Sequence, residues 1–285
     1  MSHDGPMDRR RSVQVIAVTG GKGGVGKSTL SINLATGFAL GGRKTLLLDG
    51  DLGLANADVM LGVTPKYTLG DVISGDRSLE EVLTPVRPNL SIVAGASGIS
   101  ALAGLGEAEH IGIVRAFSSL VDDIDVLVVD TPAGISAGVL QLTQAAQHII
   151  VVVCDEPASV TDAYAVIKVL SAEHSIRHFK VVTNMTRSGG SGTQLFATLL
   201  KVTNRFLDVV LEHAADIPDD DFLRRSIREQ RPVIDAYPGS AAGAALKRLV
   251  SKASQWEAPH GSRGNIEIFA ERLVAPSGRR LQVIK

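Results

Sequence analysis

The chain has 285 residues, 45% hydrophobic and 21% charged, with a formal net charge of -1. That length and mixture suit one large α/β domain with a sizeable core and exclude a disordered chain. Near neutrality excludes a global field pulling the molecule onto nucleic acid or an anionic membrane, so specific DNA binding is not expected, and the single cysteine, Cys154, excludes a disulfide framework or a four-cysteine metal centre.

Residues 1–12, "MSHDGPMDRRRS", read as a flexible segment. The apolar stretch that follows is only strand length, so neither a signal peptide nor a spanning helix is expected, which points to the cytoplasm. Apolar runs then recur at 13–18, 45–49, 90–95, 125–130, 148–154 and 179–184. Their near-continuous Val, Ile and Leu content suits strands buried on both faces, and the spacing leaves room for crossover helices. The expected architecture is α/β: a doubly wound, mostly parallel sheet with helices on both faces. "LDVVLEHAADIP" is a candidate seventh strand, with part of "RFLDVVLEHAA" equally readable as helix. Residues 186–192, "TRSGGSG", read as a loop. Residues 13–256 are expected to form the globular domain, 257–264 a linker, and 265–285 an amphipathic helix with a basic tail.

The first strand runs into "TGGKGGVGKS", where Gly21, Gly26, Lys27 and Ser28 fulfil G-x-x-x-x-G-K-[ST] between a strand and a helix. Glycines let the backbone N–H groups of residues 21 to 26 (Gly21, Lys22, Gly23, Gly24, Val25, Gly26) turn onto a phosphate chain, and the helix start adds partial positive charge. Lys27 would reach the β- and γ-phosphates, Ser28 would offer its hydroxyl to magnesium, and Thr29 follows in the same turn. A metal-bound triphosphate also needs carboxylates at neighbouring strand ends. Asp130 closes "VLVVD", the arrangement in which an aspartate orients magnesium, and Gly134 in "DTPAG" is a candidate γ-phosphate sensor. Asp49 and Asp51 close "TLLLDGD" two residues apart. Asp51 is the candidate for orienting the attacking water and for the metal, while Asp49 reads as a nucleotide-site acid or a strand-end cap. Asp58 reads as a cap.

"KGGVGKS" has the form of a deviant phosphate loop with a second lysine, Lys22. With "DGDLGLANADVMLG", "VLVVDTPAG", "CDEPASVTDAYAVIK" and "TNM", the chain resembles the MinD/ParA family of ATPases over residues 13 to about 240. Within it, "LGLANADVMLGVTPKYTLGDVI" and "LKVTNRFLDVV" are most similar to the flagellar-number regulators of the FlhG/FleN type. The resemblance implies a slow MgATP-dependent ATPase that forms a homodimer in the ATP state, with Lys22 contacting the phosphates bound by its partner. It implies an adenine-reading role for Asn184, a lining role for Pro218 and Asp219, and positions near the dimer interface for Glu156 and Asp162. It also implies control of flagellar number through a transcription activator of the FleQ type, with DNA partitioning of the ParA kind or division-site positioning of the MinD kind as the alternative. For the tail, which carries a net +3 over residues 261–285, two readings stand: an amphipathic helix that binds the inner membrane surface, as in the MinD family, or one that docks on its own domain.

Overall fold

The computed structural model describes residues 13–50, 57–95, 116–118, 120, 123–187, 190–257 and 270–271. The N-terminal segment, Asp51, the linker after residue 257 and most of the tail lie outside the described residues.

Eight strands form one sheet: β1 (Gln14–Thr19), β2 (Thr45–Asp49), β3 (Thr84–Arg87), β4 (Leu90–Val93), β5 (Val126–Asp130), β6 (His148–Cys154), β7 (His178–Thr186) and β8 (Val210–Pro218). Their order is β3-β4-β2-β5-β1-β6-β7-β8. Every pairing is parallel except β3 with β4. The longer helices are α1 (Lys27–Leu40), α5 (Ala137–Ala145), α6 (Pro157–His174), α7 (Ser191–Phe206), α8 (Asp221–Arg228) and α10 (Ala241–Ala253). Four shorter helices are α2 (Ala57–Leu61), α3 (Leu69–Ile73), α4 (Leu79–Val82) and α9 (Val233–Ala236).

Period-two alternation of the strands feeds two layers. Ile16, Val18, Leu47, Val128, Ile150 and Val152 point into the layer filled by α1 and α10. Their neighbours Val15, Ala17, Leu46, Leu48, Leu127 and Val129 point to the opposite face, under α3, α4 and α5. On that second face, Ile149, Val151 and Val153 are covered by α6 and α7. Because both faces are covered, the central strands need apolar side chains at every position, which is why they appear as unbroken runs. Their crossovers deliver β1, β2, β5 and β7 to one edge with polar residues at or near their ends: Thr19, Asp49, Asp130 and Asn184.

Ala270, in the tail, is helical and completely buried, packed in the same layer as Val13, Val15, Leu46 and Val129. Among the described residues no helix is long and apolar enough to cross a membrane.

Candidate nucleotide-binding site

The β1–α1 loop stands at the carboxyl edge of the sheet, between the ends of β5 and β6. Helix α1 starts at Lys27 with Gly26 as its N-cap, and it has no side-chain cap and no acid in its first turn. A helix start without a side-chain cap or an acid suits an anion, as a phosphate site requires. Gly26 has φ +94°, and a Cβ there would come within 2.2 Å of Asn184 Nδ2. That contact is close because Asn184 donates from Nδ2 to the carbonyl of Val25 at 2.8 Å. A β7 side chain therefore holds the loop from beneath. Gly21 lies against α6, where a Cβ would meet the carbonyl oxygen of Asp162 at 2.2 Å.

The two loop lysines have different fates. Lys27 is nearly buried, and its Nζ donates to the carbonyl of Lys22 at 3.1 Å. Lys22 is half exposed and lies 2.7 Å from Glu156 Oε2. A hydrogen bond and charge pairing with Glu156 hold the ammonium above its ordinary pKa, and the same pair holds the Glu156 carboxyl below its own. Glu156 occupies the N-cap position of α6.

Asp49 and Asp130 are register partners on β2 and β5, so both carboxylates project on one side at the strand ends. Asp130 is 1% exposed. Burial pushes its carboxyl up from 3.8 to about 7, against hydrogen bonds from Ser28 and Ser31 and the charge of Lys27, with Asp49 adding to the rise. Ser31 Oγ donates to Asp130 Oδ1 at 2.9 Å. Asp49 Oδ2 accepts from the N–H of Ala57 at 3.2 Å, so it caps the segment entering α2, and Asp58 sits in that helix's first turn. Gly134, at φ +98°, follows β5 and donates its N–H to the carbonyl of Gly20 at 3.1 Å, beside the loop.

At the far side of the loop, the pairing of β7 and β8 shifts between Asn184 and Thr186. The intervening Met185 adopts φ 57°, a strained conformation for a long side chain, as at bulges that re-aim their neighbours. Thr186 pairs with Pro218 and accepts the N–H of Asp219 at 2.9 Å on its carbonyl, which brings Asn184, Pro218 and Asp219 to one corner. Asp219 is ion-paired with Arg224 of α8. Three contributors were assigned no role from the sequence: Ser31, which lies outside the quoted motifs, and Met185 and Ser159, which lie inside "TNM" and "CDEPASVTDAYAVIK"; Ser159 Oγ accepts the N–H of Cys154 at 3.0 Å.

The residues fit a magnesium nucleotide. The open helix start suits phosphate, and a buried carboxylate beside a serine hydroxyl suits a hard cation that keeps much of its water. Among the described residues no group of three or more His, Cys, Asp or Glu side chains gathers to hold a metal by itself.

A glycine-rich loop between the first parallel strand and its helix, with acids closing the adjacent strands, defines a P-loop nucleoside triphosphatase. The particular lineage follows from comparison. The family model described as ParA, NUBPL iron-transfer P-loop NTPase, matches residues 11–254, and the chain belongs to that family. It is 50% identical to the antiactivator FleN of Pseudomonas aeruginosa over 268 residues, covering 94% of this chain and 96% of the relative. It is 32% identical to the flagellum site-determining protein YlxH of Helicobacter pylori, covering 79% and 76% respectively. Among solved structures, the septum site-determining protein MinD with Mg-ADP from Pyrococcus horikoshii superposes with TM-score 0.67 at 26% identity, over 85% of this chain and 96% of that one.

Proposed function

We propose that the chain is a MgATP-dependent dimerising switch that regulates flagellar number and placement by antagonising a flagellar master transcription activator of the FleQ type. The flagellar part of the reading is supported by the likeness to the antiactivator FleN, sustained over nearly the whole chain, and to YlxH. The switch part is carried by one observation: Lys22 stands half exposed outside its own phosphate cradle, while Lys27 occupies the cradle.

In this reading Lys27 and the N–H groups of residues 21 to 29 bind the phosphates of the chain's own ATP. Lys22 leaves Glu156 and reaches the triphosphate held by a second copy, offsetting charge that would otherwise repel the two subunits. Ser28 and Asp130 hold magnesium, which neutralises charge on the β- and γ-phosphates when bound. Asp51 orients the attacking water, Gly134 senses the γ-phosphate, and Asn184, Pro218 and Asp219 receive the base. Turnover is slow without an activating partner, and loss of the γ-phosphate releases the dimer. The iron-transfer role printed in the family description does not extend here, because one cysteine cannot supply two ligands per subunit.

The burial of Ala270 supports a tail docked on its own domain. Membrane binding through residues 265–285 then requires release of the tail by ATP-driven dimerisation. Liposome sedimentation with ATP and with ADP tests this, and equal pelleting in both would remove it. The function itself is tested by deleting the gene in its host and counting flagella by electron microscopy. Supernumerary flagella, corrected by the wild-type gene but not by Lys22→Ala, are expected. An unchanged count in the deletion strain would overturn the reading.

A further inference from the structure

Asp130 carries the magnesium side of the site, yet burial works against its charge. Two hydroxyls of α1 bond its carboxyl group, Ser28 and Ser31. Three residues apart, they share one helix face. Their situations differ. Ser28 is only partly buried in the first turn, whereas Ser31 is completely buried one turn deeper. Ser31 Oγ lies 2.9 Å from Asp130 Oδ1 and 3.0 Å from the carbonyl oxygen of Lys27. One hydroxyl proton cannot serve both acceptors at once. The Lys27 carbonyl faces the helical i→i−4 donor at Ser31, so the carboxylate is the acceptor in greater need.

From this arrangement we infer that Ser31 is a positioning residue for the metal-side carboxylate: it pins Oδ1 from the protein interior and so fixes the orientation of the carboxylate. The inference rests on the reading of Asp130 and Ser28 as the magnesium side of a nucleotide site. Outer partners of metal-side groups typically change metal affinity by about 10- to 100-fold when removed. Removal of this hydroxyl should therefore weaken the cation and spare the nucleotide.

The experiment is a Mn2+ titration followed by electron paramagnetic resonance, with ADP present, on the full chain as wild type, Ser31→Ala and Ser31→Thr. Melting curves and metal-free ADP affinity are measured on the same samples. The expected result is a Mn2+ dissociation constant raised about tenfold in Ser31→Ala, metal-free ADP affinity within about twofold of wild type, and recovery in Ser31→Thr, which keeps the hydroxyl. A packing role alone would lower the melting temperature without moving the Mn2+ constant, and that result overturns the inference. If wild type shows no ADP-dependent Mn2+ binding, the nucleotide-site reading itself fails, and the inference with it.

Discussion

Asp130→Asn should stabilise the protein in EDTA without nucleotide, even though it removes a residue of the site. In the folded chain burial raises the Asp130 carboxyl from 3.8 to about 7. The folded state therefore keeps a proton that the unfolded chain releases, so this group's penalty on folding grows as pH rises from about 4 to 7 and is constant above. At pH 8 the shift corresponds to roughly 4 kcal/mol. The asparagine avoids that penalty but leaves an amide N–H short of an acceptor, which costs about 1 kcal/mol. The net gain of roughly 3 kcal/mol corresponds to a melting temperature about 6 to 12 °C higher for a domain of this size. At pH 5 most of the difference should vanish, leaving roughly 1 kcal/mol or less. His148, pushed down to about 4 by burial and by the nearby Lys180, titrates in both proteins and cancels in the comparison. Differential scanning calorimetry at pH 5 and pH 8 reads the effect. With magnesium and ADP added, the order should invert, because only the wild type gains from the cation. An asparagine variant melting at or below the wild type at pH 8, or a gap of equal size at pH 5, would refute the reasoning.

Asn184→Ala removes the side chain that holds the Val25 carbonyl, and a lost buried hydrogen bond of about 1–3 kcal/mol predicts roughly 5- to 150-fold weaker ATP binding by calorimetric titration. Gly26→Ala places a Cβ against Asn184 at φ +94°; fluorescent-nucleotide titration should show no saturable binding while the circular dichroism spectrum stays native. Glu156→Gln frees Lys22 from an exposed ion pair, so the ATP concentration that half-saturates dimerisation should fall by a modest factor, about 2- to 5-fold. A rise in that midpoint would mean that Glu156 supports the dimer rather than competing for Lys22.

The central strands were legible because burial on both faces leaves only apolar residues, and the phosphate loop because its chemistry demands a fixed spacing. Legibility faded toward the sheet margins. The strand β3 was missed: it is a four-residue edge strand containing Pro85, which removes both the apolar run and a ladder donor. At the opposite edge β8 is only intermittently buried, which is why "RFLDVVLEHAA" was open to a helical reading; the helix ends at Phe206 and the strand begins at Val210. The loop expected at 186–192 is shorter, since Thr186 ends β7 and Ser191 starts α7. The site followed the same logic. Gly21, Lys27, Ser28 and Asp130 were readable from motif spacing, whereas the Ser31 contact joins residues 99 apart in sequence and the Asn184 contact residues 159 apart, and only the folded sheet brings those together. The strained backbone of Met185 depends on a shift in strand pairing that no local pattern records.

The central claim is that a lysine lent by one copy makes ATP the joint between two chains. Light scattering after size-exclusion chromatography, with ATP, ADP or no nucleotide, tests it on wild type, Lys22→Ala and Asp51→Ala. The account predicts a wild-type dimer with ATP alone, a persistent ATP dimer in Asp51→Ala, and a monomer under all three conditions in Lys22→Ala. A Lys22→Ala protein that dimerises with ATP as readily as wild type would contradict it.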